Sequence, residues 1–237
     1  RYPLVTVVHT CALPILNKSI KTMEVLIAIL KIGCVYVPMD PEYPMNRINY
    51  ILTETKANIV FAEDNWKQKG VGCPDCKIVT IKNLEENMNR FSHENIHIKI
   101  FPNDLAYIIF TSGTTGKPKG VMIEHIGICN MVKGLNEGWG VRKDSKVLQF
   151  ASLSFDASIA EIFIALLSGG ELVLKSKNEI MPGGDLERVL VEEEITEVIL
   201  TPSVLMLTNP KKISKLRTVL SAGESCNKAV VEKWGSG

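Results

Sequence analysis

Strand-like and helix-like stretches of hydrophobic residues alternate along this chain. Short apolar runs predict buried strands, and apolar residues at helical spacing predict the helices between them. The predicted strands are residues 35–37, 58–62, 77–81, 105–110, 121–123, 146–150, 171–174, 197–200 and 217–220. The predicted helices are residues 23–32, 44–52, 159–167 and 185–194, and one that begins near His125. This βα alternation predicts an α/β fold with mostly parallel sheets flanked by helices.

Composition narrows the class of protein. The chain has 237 residues, of which 46% are apolar and 22% charged, and its net charge is +1. Such values are typical of one large or two small globular domains. The near-neutral charge gives no electrostatic case for nucleic acid or for an anionic membrane surface. The longest apolar run, near residues 25–30, is too short to span a bilayer, and we expect a cytoplasmic protein.

Six cysteines are scattered along the chain and suggest no disulfide framework. Cys73 and Cys76 form a C-x-x-C pair, but the four histidines supply no second pair of ligands for a zinc site. We therefore expect reduced cysteines here and no metal bound by the protein alone.

The first fifteen residues show no clear helix or strand period, and their layout is not that of a signal peptide. Residues 10–15 read TCALPI, which resembles the translation of a common sequencing adapter. We expect residues 1–15 to be non-native. The alternative is a divergent N-terminal strand.

Residues 111–120 read TSGTTGKPKG and lie between two predicted strands. Glycines let the backbone approach an anion closely, and successive amide groups can form a nest around it. Hydroxyl groups and lysines add donors and positive charge. The candidate phosphate-binding residues are Thr111, Ser112, Gly113, Thr114, Thr115, Gly116, Lys117 and Lys119. The spacing is not that of a Walker A loop, because Pro118 follows Lys117 and the glycines lie too close together. The alternative is a polar turn.

This loop resembles the signature of the adenylate-forming superfamily, and three other segments resemble the amino-acid adenylation domains of nonribosomal peptide synthetases. Residues 30–44, LKIGCVYVPMDPEYP, are similar to the motif LKAGGAYVPIDPEYP. Residues 155–163, FDASIAEIF, resemble FDASVWEMF, and residues 221–224, SAGE, resemble the (G/A)GE turn that follows. The resemblance implies that residues 16–237 form a partial AMP-binding adenylation domain. They would be part of the large N-terminal subdomain of the adenylate-forming fold, with the C-terminal half missing.

The resemblance also implies a reaction. An amino-acid carboxylate attacks the α-phosphorus of ATP, with Mg²⁺, and gives aminoacyl-AMP and pyrophosphate. The acyl group then passes to the phosphopantetheine thiol of a carrier protein, within a larger synthetase that also contains condensation domains. The catalytic lysine of the family is expected beyond residue 237, so no catalytic residue is assigned and we expect the chain to be inactive alone.

The substrate is also implied by the resemblance. Asp156 matches the position that pairs with the α-ammonium of an amino acid; the alternative role is a helix cap. The implied side-chain pocket is apolar and suits a hydrophobic or aromatic amino acid. Its residues are Ala157, Ala160, Ile199, Leu220 and Ala222. Gly223 and Glu224 are implied to lie near adenine. Two alternatives stay open: an acyl- or aryl-CoA ligase of the same superfamily, which Asp156 disfavours, and a non-catalytic nucleotide-binding protein.

Overall fold

The computed structural model describes residues 10–68, 76–112 and 117–235 of the chain. The chain divides into two units, Arg1–Gly127 and Ile128–Gly237. Each unit has a β-sheet and flanking helices, so the predicted α/β class with mostly parallel sheets is confirmed.

The first unit contains a six-stranded sheet. Its strands are β1 Cys11–Ile15, β2 Val35–Tyr36, β3 Ile59–Ala62, β4 Lys77–Thr80, β5 Leu105–Thr111 and β6 Lys119–Glu124. They are ordered β4-β3-β1-β2-β5-β6, and every neighbouring pair is parallel except β5 and β6, which are antiparallel. The antiparallel pair places the predicted phosphate loop in a hairpin at one side of the sheet.

The helices of this unit begin in different ways, and a polar side chain caps the first amide groups of only some of them. They are α1 Ile20–Lys31, α2 Met45–Thr55, α3 Ile81–Asn87 and α4 His125–Trp139, which continues past the unit boundary. The Ser19 hydroxyl accepts a hydrogen bond from Thr22 N, so α1 starts three residues before the predicted position. Thr80 caps α3 in the same way.

Strand β1 was predicted only as the alternative for the first fifteen residues. All five of its residues are buried, and it lies between β2 and β3. A strand buried on both faces lacks the alternation that reveals a half-exposed strand, and Pro14 is unusual in a central strand because it has no N–H to donate. The segment expected to be non-native thus contains this central strand. Its origin stays a prediction, which the reading frame upstream of residue 17 tests.

The second unit contains a four-stranded parallel sheet. Its strands are β7 Lys146–Gln149, β8 Glu171–Leu174, β9 Glu197–Leu200 and β10 Thr218–Ser221, ordered β10-β9-β7-β8. Its helices are α5 Asp156–Leu167, α6 Gly184–Glu192, α7 Pro202–Leu207 and α8 Lys228–Trp234. Leu186 and Leu190 of α6 and Leu205 of α7 pack with strand residues in one apolar core. Because all four strands are parallel, the residues that follow them meet at one edge of the sheet.

The cysteines partly contradict our expectation. Cys76 is disulfide-bonded, so the expectation of a reduced thiol is wrong for this residue, and Cys73 lies outside the described residues. Cys11, Cys34, Cys129 and Cys226 are free. Burial, together with the neighbouring Cys34, raises the pKa of Cys11 to about 11, so this thiol stays protonated at neutral pH.

Within the described residues, no helix combines the length and the apolar character needed to cross a membrane.

Candidate active site

The predicted phosphate loop leaves β5 at Thr111 and returns into β6 at Lys119, and these two residues are paired across the hairpin. The Thr111 hydroxyl lies 3.5 Å from the Lys119 carbonyl oxygen. Thr111, Ser112, Lys117 and Lys119 are all exposed. Their hydroxyl and ammonium groups therefore stand at the two arms of one hairpin, where they can contact an anion. Gly113, Thr114, Thr115 and Gly116 lie outside the described residues.

Close packing fixes the arm of the hairpin that follows the loop. A Cβ atom added at Gly120 would lie 2.9 Å from Ile108 Cγ2 and 3.2 Å from Phe110 Cζ. Glycine is therefore required here by space, because the backbone of β6 lies directly against the side chains of β5. The Tyr50 hydroxyl of α2 donates a hydrogen bond of 3.2 Å to the Pro118 carbonyl oxygen and so ties the same arm to a helix.

Asp156 stands at the first position of α5, on the connection that leaves β7. Its side chain is exposed, and its Oδ1 accepts a hydrogen bond of 2.9 Å from the adjacent Ala157 N. Phe155 occupies the N-cap position and makes no side-chain cap. The alternative role of Asp156 as an N-cap is therefore not what the fold presents, although an acidic residue in the first turn favours the helix dipole.

The implied pocket residues lie on α5 and around the carboxyl ends of β9 and β10. Ala160 and Ile199 are buried, whereas Ala157, Leu220 and Ala222 are half-buried. Ile199 and Leu220 are paired in register on neighbouring strands. Burial favours a role in the core for the first two residues, and the half-buried three are the ones available to contact a ligand.

The connection before Asp156 rests on two buried polar side chains. Glu161 of α5 accepts hydrogen bonds from Ala151 N at 3.1 and 3.2 Å and from Gln149 Nε2 at 2.8 Å. Gln149 Nε2 also donates to the Ala151 carbonyl oxygen at 2.7 Å. Both polar groups of the Ala151 backbone are therefore satisfied from within the fold.

The turn implied to lie near adenine follows β10. Gly223 has a φ of +84°, a conformation that favours glycine. The Glu224 carboxylate accepts hydrogen bonds from Ser203 N at 3.0 Å and from the Ser203 hydroxyl at 2.8 Å. Glu224 thus joins the turn after β10 to the start of α7, which follows β9. The side chain implied to lie near adenine is engaged in holding these two segments together.

Comparison with known proteins identifies the family. The family of AMP-binding enzymes matches residues 13–236 of this chain. The chain belongs to that family. The resemblance to adenylation domains, drawn above from four short motifs, is thereby confirmed, as is the fold class it implied.

Two curated relatives show where this AMP-binding chain fits. Tyrocidine synthase 1 of Brevibacillus parabrevis is 40% identical over 221 residues, which cover 92% of this chain and 20% of the relative. Gramicidin S synthase 1 of Brevibacillus brevis is 34% identical over 229 residues, which again cover 92% of this chain and 20% of the relative. The chain therefore spans 20% of the length of each of these relatives.

A solved structure supports the assignment of the fold. The N-terminal subdomain of Klebsiella oxytoca NpsA, in complex with 3-hydroxybenzoyl-AMSN, matches with a TM-score of 0.82 and 25% sequence identity. The match covers 95% of this chain and 56% of that one. Our chain therefore has the fold of an N-terminal subdomain of an adenylate-forming enzyme.

Three polar side chains that contact the segments with candidate site residues were not identified from the sequence. Tyr50 and Gln149 lie outside the motifs, and Glu161 lies inside one without a role attached to it. An acidic residue among apolar helix positions was a signal for Glu161, since a buried carboxylate needs partners. Tyr50 and Gln149 gave no signal, because their partners are brought to them only by the fold.

Proposed function

We propose that the chain is part of an ATP-dependent ligase that activates an amino acid as aminoacyl-AMP for transfer to a phosphopantetheinyl carrier protein. Membership of the AMP-binding family supports the use of ATP. The observation that carries the amino-acid substrate is Asp156, an exposed carboxylate at the edge of a parallel sheet where ligands bind in α/β folds. A substrate ammonium there would gain a charge-assisted hydrogen bond.

The chemistry of the proposal balances without a redox step. One carboxylate oxygen of the amino acid bonds to the α-phosphorus of ATP, while the bond from that phosphorus to the bridging oxygen of pyrophosphate breaks. The oxygens of the departing pyrophosphate bind to the hairpin, where hydrogen-bond donors and positive charges lie together. These groups belong to Thr111, Ser112, Lys117 and Lys119. In the second step the carrier thiol gives up its proton, its sulfur bonds to the acyl carbon, and AMP leaves.

Mg²⁺ enters this proposal together with the phosphates. Among the described residues, no group of three or more His, Cys, Asp or Glu side chains is placed to hold a metal ion. The hydroxyl groups of Thr111 and Ser112 fit a metal–phosphate complex, because a hard cation takes oxygen ligands and keeps several waters. When bound, the metal neutralises phosphate charge.

The amino-acid substrate is tested with two probes that differ only in the ammonium. They are phenylalanyl-sulfamoyl-adenosine and its 3-phenylpropanoyl counterpart, and the affinity of the chain for each is measured by calorimetry. We expect the amine-bearing probe to bind about 10-fold more tightly, and Asp156→Asn to remove that preference. Asp185→Asn is the matched control, because Asp185 is also an acidic residue in the first turn of a helix.

The outcomes of this test separate the candidate functions. Equal affinity for both probes in the unmodified chain contradicts amino-acid activation and favours an acyl- or aryl-CoA ligase. A chain that binds Mg-ATP but neither probe supports the non-catalytic nucleotide-binding alternative.

The role of the hairpin is tested with magnesium pyrophosphate as the probe. We expect Lys117→Ala to weaken its binding about 10-fold, the effect of one lost charge-assisted contact. Lys133→Ala removes an exposed lysine from α4 and is expected to leave the affinity unchanged. Equal losses in the two variants would contradict a specific role of the hairpin, since they would indicate only a general charge effect.

A further inference from the structure

Two fully buried polar side chains contact the connection that leads from β7 to Asp156. Glu161 and Gln149 both have 0% exposed surface, although each bears groups that prefer water. Their side chains share a hydrogen bond of 2.8 Å. Glu161 comes from the helix that Asp156 begins, and Gln149 is the last residue of β7. The pair therefore joins the two ends of the connection, residues 150–155, to each other.

Burying a carboxylate is unfavourable unless good hydrogen bonds replace its hydration. An apolar pair of similar volume would fill the same space, so packing alone does not explain why these two side chains are polar. The polar pair also determines the orientation of the backbone. Glu161 holds the N–H of Ala151 and Gln149 holds the C=O of the same residue, which fixes the orientation of the chain as it leaves the strand.

The orientation of this connection sets where α5 begins. The remaining turn is short and is closed by its own hydrogen bonds, including Phe155 N to the Ser152 carbonyl oxygen at 2.9 Å. Ser158 also restrains this turn, because its hydroxyl donates a hydrogen bond of 2.6 Å to the Phe155 carbonyl oxygen. Asp156 lies between these fixed points, so a change at Ala151 is passed on to its carboxylate.

We infer that Glu161 and Gln149 are positioning residues that hold Asp156 where it can meet the ammonium of an amino-acid substrate. The identity of the ligand rests on the proposed function, whereas the hydrogen bonds that position the connection do not depend on it. It assigns a role to a buried pair that does not contact the substrate. The expected consequence is selectivity: disturbing the pair weakens binding of a ligand with an ammonium more than binding of one without it.

The experiment exchanges the two side chains. Glu161→Gln sets an amide against an amide, and Gln149→Glu sets a carboxylate against a carboxylate. The double variant Gln149→Glu, Glu161→Gln again places one donor opposite one acceptor, with the net charge unchanged, but a carboxylate at position 149 cannot donate to the Ala151 carbonyl oxygen. Glu171→Gln is the control, because Glu171 is an exposed carboxylate at the start of β8 in the same sheet.

Two readouts are taken on the full 237-residue chain. The first is the ratio of affinities for phenylalanyl-sulfamoyl-adenosine and its 3-phenylpropanoyl counterpart. The second is hydrogen exchange of the peptides that span residues 150–157, alongside the melting temperature. We expect each single variant to lower the affinity ratio about 10-fold and to speed local exchange. The double variant restores the contact between the two side chains but not the one to the Ala151 carbonyl oxygen, so we expect it to recover part of both.

The possible results separate this inference from the proposed function. Equal loss of affinity for both probes, or faster exchange spread evenly over the sheet, would overturn the inference and leave a merely structural pair. The inference is also wrong if the double variant is as disturbed as the sum of the single ones. If the unmodified chain has no preference for the amine while local exchange follows the exchanged pair, the proposed function fails and the positioning of the connection stands.

Discussion

The connection at residues 150–155 leads to Asp156, and the hairpin of β5 and β6 carries the candidate phosphate-binding residues, but different interactions hold the two segments. Buried hydrogen bonds from Glu161 and Gln149 orient the connection. The hairpin is held by close apolar contact at Gly120 and by one half-buried hydrogen bond from Tyr50.

The difference matches what each segment has to bind. Hydrogen bonds are directional, and a buried network specifies a single geometry, which suits one carboxylate that must meet one ammonium. Apolar packing is not directional but is sensitive to volume. That suffices for a phosphate-binding hairpin, where several hydroxyl and ammonium groups share the ligand.

The largest effect on stability is expected in the four-stranded sheet of the second unit, at the end opposite to the connection at residues 150–155. There Glu197, which is 1% exposed, is paired with the Arg217 guanidinium at 3.0 Å. Arg217→Met leaves this buried carboxylate without its cation and is expected to cost about 2–4 kcal/mol of unfolding free energy. The lower part of that range allows for Arg217, whose side chain is 30% exposed. Urea denaturation of the chain measures the change.

Arg142→Met is the control for this comparison. Arg142 pairs with Asp144 at 2.9 Å, but both side chains are about two-thirds exposed, at 65% and 66%. We expect a cost below about 1 kcal/mol, as for other surface pairs. Similar costs in the two variants would show that burial of the carboxylate does not govern its energetic role. Because Glu197 lies at the amino ends of the strands, Arg217→Met should leave probe selectivity at Asp156 unchanged.

The second-largest loss of stability is expected when a side chain is added at Gly120 in the hairpin. Gly120→Ala places a methyl group 2.9 Å from Ile108 Cγ2, and Ile108 is itself buried, so we expect a loss of about 1–3 kcal/mol. The matched control is Gly134→Ala in the middle of α4, where an added Cβ meets nothing within 4 Å. That variant should gain about 0.5–1 kcal/mol, because alanine favours a helix over glycine. A neutral Gly120→Ala in thermal unfolding would contradict the close contact.

Candidate site residues could be predicted from the sequence where they lie in contiguous motifs. Thr111–Gly120 and Asp156 were predicted as site residues because they belong to runs of consecutive residues that match known motifs, and their roles stay predictions. The alternation of strands and helices was likewise enough to predict the parallel sheets. In physical terms, these features depend on local sequence and on one period of hydrophobicity.

The rest depended on contacts between distant residues. Strand β1 was predicted only as an alternative, because it is buried on both faces and contains a proline, so neither alternation nor composition favoured it. Tyr50 and Pro118 are 68 positions apart, and only the packing of α2 on the sheet brings them together. The pairing of Glu224 with Ser203 is similar, since it joins the ends of two strands that become neighbours in the fold.

The smallest effect is expected from Tyr50→Phe, which removes only the hydroxyl group at the rim of the hairpin. A hydrogen bond of this kind contributes about 0.5–1.5 kcal/mol, and part of it is recovered when water takes the place of the hydroxyl. We therefore expect a small change in melting temperature but faster hydrogen exchange in the peptides that contain residues 117–120. Affinity for magnesium pyrophosphate should fall by a few-fold, about 2–5.

Tyr43→Phe is the control for this last prediction. Tyr43 lies just before α2, and its ring contacts the Arg47 guanidinium at 4.2 Å, a contact that phenylalanine retains. It should leave exchange in the hairpin and pyrophosphate binding as they are. If both variants behave alike, α2 does not fix the hairpin through the Tyr50 hydroxyl, and apolar packing at Gly120 alone holds this arm. If only Tyr50→Phe changes exchange and binding, a single polar contact from α2 holds the hairpin in place. The buried pair of Glu161 and Gln149 has the same role for the connection that leads to Asp156.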